Sequence, residues 1–155
     1  MIHYRNATRR SGVDSRRLKR VARELLAAAG EEDASLSLSL VTDRAIRELN
    51  RIHRGKDAPT DVLSFPLLGE EDPTLGPGGE RLIGDVVISV ETARRQAAGY
   101  DAPLQHELYR LLIHGILHVL GHDHEDAGER AAMETEERRL ANAIAMPWPY
   151  DDQRA

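Results

Sequence analysis

The segment HGILHVLGHDH, residues 114 to 124, holds four of the chain's seven histidines. On a helix, His114 and His118 project from one face with Cβ atoms about 5–6 Å apart. Two imidazoles so placed can reach one ion at about 2.0–2.1 Å each. Gly121 can take the left-handed conformation that ends a helix and folds the chain back, and His124 then returns as a third ligand. Three protein ligands leave a tetrahedral ion one open position, the arrangement of a catalytic rather than a structural zinc site. The chain has no cysteine, so the site must be built from imidazole and carboxylate. Zinc is the leading metal for such a set, although imidazole also suits nickel, copper and iron.

The remaining residues near this segment carry weaker expectations. Asp123 is expected to bond a ligand histidine and help set its tautomer, and His122 to face solvent or substrate. Met133 belongs to the core face of a helix rather than to a floor beneath the ion. His3, His53 and His106 have no such company and suit ordinary packing or surface roles. The spacing H-x-x-x-H-x-x-G-x-x-H is that of the metzincin peptidases, which carry after the first histidine a glutamate that activates water. Here that position is Gly115. Phosphate-ester cleavage fits a metal without that base better, because positioning and charge neutralisation do much of the catalysis there.

Several elements must position these residues. VDSRRLKRVARELLAAAG places Leu18, Val21, Ala22, Leu25, Leu26 and Ala29 on one helix face, with Asp14 to cap its start and Gly30 to end it. SLSLSLV alternates leucine with serine, the pattern of a strand with one buried face. A helix follows from Thr42 or Asp43, burying Ile46, Leu49 and Ile52. TDVLSFP and LIGDVVIS are strands, separated by a Gly/Pro-rich surface loop at 67–82. SVETARRQAAG, PLQHELYRLLIHGILHVL and GERAAMETEERRLANAIA are helices, and the terminal DDQRA is expected to fray. With a short N-terminal strand, this order predicts an α+β fold: a small mixed β-sheet packed against helices, with the three-histidine zinc site at the end of a core helix. At 155 residues the chain suits one domain, residues 1–155.

The composition narrows the function. The start of the chain shows no signal pattern, and Leu108 to Gly121, the most apolar stretch, is too short to span a bilayer; no membrane partner and a cytoplasmic location are expected. The net charge of −5 argues weakly against nucleic acid, but its distribution permits a basic face on an acidic protein. Residues 1 to 23 hold Arg5, Arg9, Arg10, Arg16, Arg17, Lys19, Arg20 and Arg23 against Asp14 alone.

Together HGILHVLGHDH, NRIHRGKDAPTDVLSFP and GDVVIS resemble the YbeY family of single-zinc endoribonucleases, in the family's order and spacing over roughly residues 36 to 145. The resemblance implies an enzyme that cleaves single-stranded RNA in ribosomal RNA maturation and ribosome quality control. It implies one Zn²⁺ per chain on His114, His118 and His124. Its partners would be ribosomal RNA and the small ribosomal subunit, with ribosomal proteins or a GTPase as candidate protein partners. Arg54, which taken alone is a surface arginine in a loop, looks like the family's functional arginine, able to grip two phosphate oxygens and steady developing charge. Lys56 would be its weaker helper in substrate binding. The alternatives are a ribosome-associated assembly factor with a structural zinc and, disfavoured by Gly115, a zinc peptidase.

Overall fold

The computed structural model describes residues 1–9, 12–67 and 80–148. Arg10, the interior of the expected 67–82 loop and the terminal DDQRA lie outside the described residues. The elements run β1 (Ile2–Asn6), α1 (Ser15–Ala28), β2 (Ala34–Val41), α2 (Asp43–Arg54), β3 (Val62–Pro66), β4 (Arg81–Ser89), α3 (Val90–Gly99), α4 (Leu104–Val119) and α5 (Ala127–Ala143). The sheet has the order β1-β2-β4-β3; β1 and β4 both pair parallel with β2, whereas β3 pairs antiparallel with β4. It is the mixed sheet of an α+β fold.

The leucine–serine alternation of β2 decides which side of the sheet becomes the core. Leu36, Leu38 and Leu40 are fully buried, and they join Val86 and Ile88 of β4 in one apolar cluster with α1, α4 and α5. Because side chains alternate along a strand, Val87 of β4 and Leu63 of β3 point to the opposite face. There they meet Ile46 of α2 in a second, much smaller cluster. Ile52, expected to be buried by the same helix, is instead 59% exposed. So small a cluster covers only the part of α2 around Ile46.

Local signals end the helices as their residues dictate. Asp14 accepts from the backbone N–H of Arg17 at the start of α1, and Thr42 from that of Ala45 at the start of α2, each satisfying a donor that the first turn leaves open. At the end of α4, Gly121 has φ 98°. Its N–H reaches the carbonyl of His118, and the N–H of His122 reaches that of Leu117. This pair of bonds closes the helix on a left-handed residue and sends the chain back across its own last turn. Among the described residues no helix is long and apolar enough to cross a membrane.

Candidate metal centre

The turn at Gly121 brings the three histidines together. Ring centroids lie 4.5 Å apart for His114 and His118, 5.2 Å for His118 and His124, and 5.9 Å for His114 and His124. One ring nitrogen from each falls within 4.8 Å of the others, so the group could hold a metal ion. The Nε2 atoms of His114 and His118 are 3.0 Å apart, against about 3.3 Å between two nitrogens on a tetrahedral ion with bonds of about 2.0–2.1 Å. The donor set therefore fits zinc. Burial, reinforced by the neighbouring His114 and His124 rings, pushes the imidazole of His118 down to about 4. It is neutral at physiological pH, the form in which imidazole binds a metal.

Gly115 explains how the histidine helix comes so near the sheet. A Cβ there would stand 2.7 Å from Cγ1 of Val86 and 3.2 Å from Oγ of Ser64, and Val86 is a fully buried, β-branched residue with little freedom to move. The position that holds glutamate in the peptidases thus has no room for a side chain. Gly84 permits the same close approach from β4, where a Cβ would meet the carbonyl oxygen of Phe65 at 2.7 Å and Val119 at 2.9 Å.

The cleft lined by His114, His118 and His124 is also lined by Arg54, Thr60 and Asp61. Arg54 is the last residue of α2 rather than part of the following loop, so its stem leaves a fixed helix end. Gly55, at φ 69°, closes that helix, and the loop behind it is tied back by the buried Asn50, whose Nδ2 donates to the Ala58 carbonyl at 2.9 Å. Arg47 and Arg51 are paired with Asp57 and Glu48, whereas Arg54 has no hydrogen-bond or ion-pair partner among the described residues. Lys56 is exposed and does not line the cleft.

The carboxylates differ from expectation. Asp123 lines the cleft, but its Oδ1 accepts from the backbone N–H of His124 at 2.7 Å; it braces the turn, and no bond to a histidine ring is seen. The residue against a ligand ring is Glu137 of α5, buried, with Oε2 3.4 Å from Nδ1 of His114. A signal for it was present: Met133, Glu137, Leu140 and Ala141 share the buried stripe of α5, and an acid on such a stripe asks for a partner. Asp61 was also missed. It accepts from its own neighbour's N–H, that of Val62, at 2.8 Å and from Gln96 at 3.3 Å. Gln96 in turn accepts from Arg110, which is paired with the buried Glu107. This chain of bonds runs from the core to the cleft.

The other residues hold to expectation. Met133 is buried in the main core and also lines a small pocket behind His114 and His124. His3 pairs with Glu80 and His53 packs on Phe65 at 4.9 Å. His122 is partly exposed.

Comparison with known proteins agrees over most of the chain. The family model described as Endoribonuclease YbeY matches residues 3–145. An Endoribonuclease YbeY of Moorella thermoacetica is 47% identical over 133 residues, covering 83% of this chain and 85% of that relative. One of Anaeromyxobacter dehalogenans is 52% identical over 129 residues, where the match covers 83% of this chain and 64% of the relative's length. The solution structure of TM1509 from Thermotoga maritima superposes with a TM-score of 0.59 at 26% identity, over 93% of this chain and 91% of that one. With the histidine segment, the fold and the sequence in agreement over residues 3–145, the chain belongs to the YbeY family.

Proposed function

We propose that the chain is a zinc-dependent endoribonuclease that cleaves single-stranded RNA, and that it works in the cytoplasm as a single domain, residues 1–155, in ribosomal RNA maturation and ribosome quality control. The observation that carries the reading is one cleft lined both by three metal-competent histidines and by an arginine that has no hydrogen-bond or ion-pair partner among the described residues. Ribosomal RNA and the small ribosomal subunit are the proposed partners, with ribosomal proteins or a GTPase as recruiting factors.

His114, His118 and His124 would hold one Zn²⁺. When bound, zinc supplies Lewis acidity, polarising a phosphoryl oxygen and acidifying water. The chain's own residues do the rest. Arg54, free to turn its guanidinium fork onto two phosphate oxygens, binds the scissile phosphate and steadies the charge that grows as the bond breaks. Lys56, one residue beyond the helix-ending glycine, assists the grip from the rim. Asp61 and Asp123 bring two negative charges to the cleft against the single positive charge of Arg54. Without a divalent ion, a phosphate meets a cleft with one excess negative charge; with it, the balance reverses. Binding of RNA as well as cleavage should then depend on the metal.

The test is metal analysis followed by cleavage assays. Purified protein should carry about one zinc per chain, and His118→Ala should lose it, since two imidazoles hold the ion poorly. Chelation should abolish cleavage and weaken RNA binding. Equal zinc in wild type and variant would remove the ligand assignment. If no RNA, ribosome-bound RNA included, is cleaved in a metal-dependent way, the chain is an assembly factor with a structural zinc.

A further inference from the structure

We infer that Glu137 is the positioning residue of the metal centre: its carboxylate accepts the Nδ1 proton of His114 and thereby turns the Nε2 lone pair toward the ion. The inference rests on the proposed metal reading and adds to it a residue from a different helix. Glu137 lies on α5 at 1% exposure, on the stripe that Met133, Leu140 and Ala141 pack into the core. An ionised carboxylate so buried is costly unless it is bonded. A helix needing only to pack would place an apolar residue there.

The geometry of His114 shows what the carboxylate does. The two nitrogens of its ring face opposite ways. Nε2 looks across 3.0 Å to Nε2 of His118, and Nδ1 looks across 3.4 Å to Oε2 of Glu137. A neutral imidazole carries one proton and one lone pair. With an anionic acceptor behind Nδ1, the proton belongs on that nitrogen and the lone pair on Nε2, where the other ligand points. The opposite tautomer would set a lone pair against a carboxylate and a proton against the ion. Glu137 also restrains rotation of the ring, as carboxylates behind metal-bound histidines commonly do. Docking α5 on α4 therefore completes the centre as well as the core.

The experiment measures zinc affinity by competition with a chromophoric chelator, using wild type, Glu137→Gln and Glu136→Gln. Glu136 pairs with Arg139 instead of a histidine and serves as the control on the same helix. Glu137→Gln should bind zinc about 10–100-fold more weakly, and Glu136→Gln should match wild type. Unchanged affinity in Glu137→Gln, while His114→Ala loses zinc, overturns the inference and leaves the metal reading standing. A wild type that binds no zinc overturns both. Should Glu137→Gln fail to fold, long-range nitrogen–proton NMR of the zinc-loaded wild type decides the matter without a variant. A proton on Nδ1 of His114 supports the assignment, and one on Nε2 overturns it.

Discussion

The two walls of the cleft are built by opposite means. The histidine wall is the C-terminal half of α4 and the turn after it; the helix residues from Leu108 to Val119 are almost all buried, and Gly115 of α4 and Gly84 of β4 let helix and sheet approach closely. The arginine wall is the end of α2, which rests on the sheet through a three-residue buried cluster and is otherwise held by polar ties. The difference suits the tasks. A metal needs donors fixed to a few tenths of an ångström, and close packing supplies that. A phosphate on a flexible strand is better gripped by a long side chain that can adapt from a fixed base.

The sharpest break between the walls is functional. Arg54→Ala should leave zinc content unchanged and lower RNA cleavage by about 10²–10³, the usual cost of removing a donor that stabilises developing charge. Its RNA binding should also become less salt-dependent, because one phosphate contact is gone. Cleavage at the wild-type rate would show that the arginine wall does not take part in catalysis. Arg54→Lys should recover only part of the loss, since an ammonium cannot make the two-pronged contact.

Next comes the packing of the histidine wall. Gly115→Ala would drive a Cβ to 2.7 Å from Val86, an overpacking that costs about 1–3 kcal/mol. At this chain length that lowers Tm by about 2–4 °C per kcal/mol. Gly84→Ala should be worse, because the obstructing atom is the backbone oxygen of Phe65. On the other wall, Gly55→Ala meets nothing within 4 Å but must hold φ 69°, a conformational strain of about 1–2 kcal/mol. Differential scanning calorimetry of the three variants should rank Gly84→Ala as the least stable. A wild-type Tm in Gly115→Ala would mean that α4 can lift from the sheet without cost.

The same contrast explains what was legible in the sequence. The histidine wall was readable because its constraints are local: His114, His118, Gly121 and His124 lie within eleven residues, and helix periodicity with one turn fixes their meeting. The strands and helices were readable for the same reason, down to the caps at Asp14 and Thr42. The arginine wall was not. Nothing near Arg54 states that α2 will cross to the far face of the sheet and end at the cleft; only the resemblance singled it out. Ile52 misled because periodicity says which face is apolar and not how much surface awaits it. Glu137 and Asp61 were missed because their partners, His114 and Gln96, lie 23 and 35 residues away. A long-range polar contact leaves no pattern along the chain beyond a polar residue where an apolar one is expected.

A smaller effect probes the tie behind Arg54. Asn50 is buried and its amide donates to the Ala58 carbonyl, so Asn50→Ala leaves a carbonyl short of a donor and costs about 1–2 kcal/mol. Zinc content should not change. Hydrogen exchange should quicken at residues 55–61 and stay slow in α4, and a change of equal size in α4 would mean that the walls are mechanically one unit.

The smallest effect concerns the other end of α2, where Asp43 anchors the helix against α3. Desolvation would raise its carboxyl, but hydrogen bonds from Ser89, Thr92 and Arg95, with the charge of Arg95, outweigh it and hold the group below its ordinary 3.8. Oxygen Oδ1 accepts from both hydroxyls at 2.6 Å. A carboxyl with a lowered folded-state pKa stabilises the fold in full above the unfolded value and gives that stability up as pH falls through the folded one. Asp43→Asn keeps an acceptor and removes the ionisation. Urea unfolding at pH 7 should show the variant slightly less stable than wild type, and the gap should narrow below about pH 3.8, where the unfolded carboxyl is mostly protonated. Because α4 makes none of these contacts, zinc affinity measured near neutrality should be the same in both proteins. A gap that stayed constant with pH would show that Asp43 acts through hydrogen bonding alone and that its charge does not help hold the arginine wall.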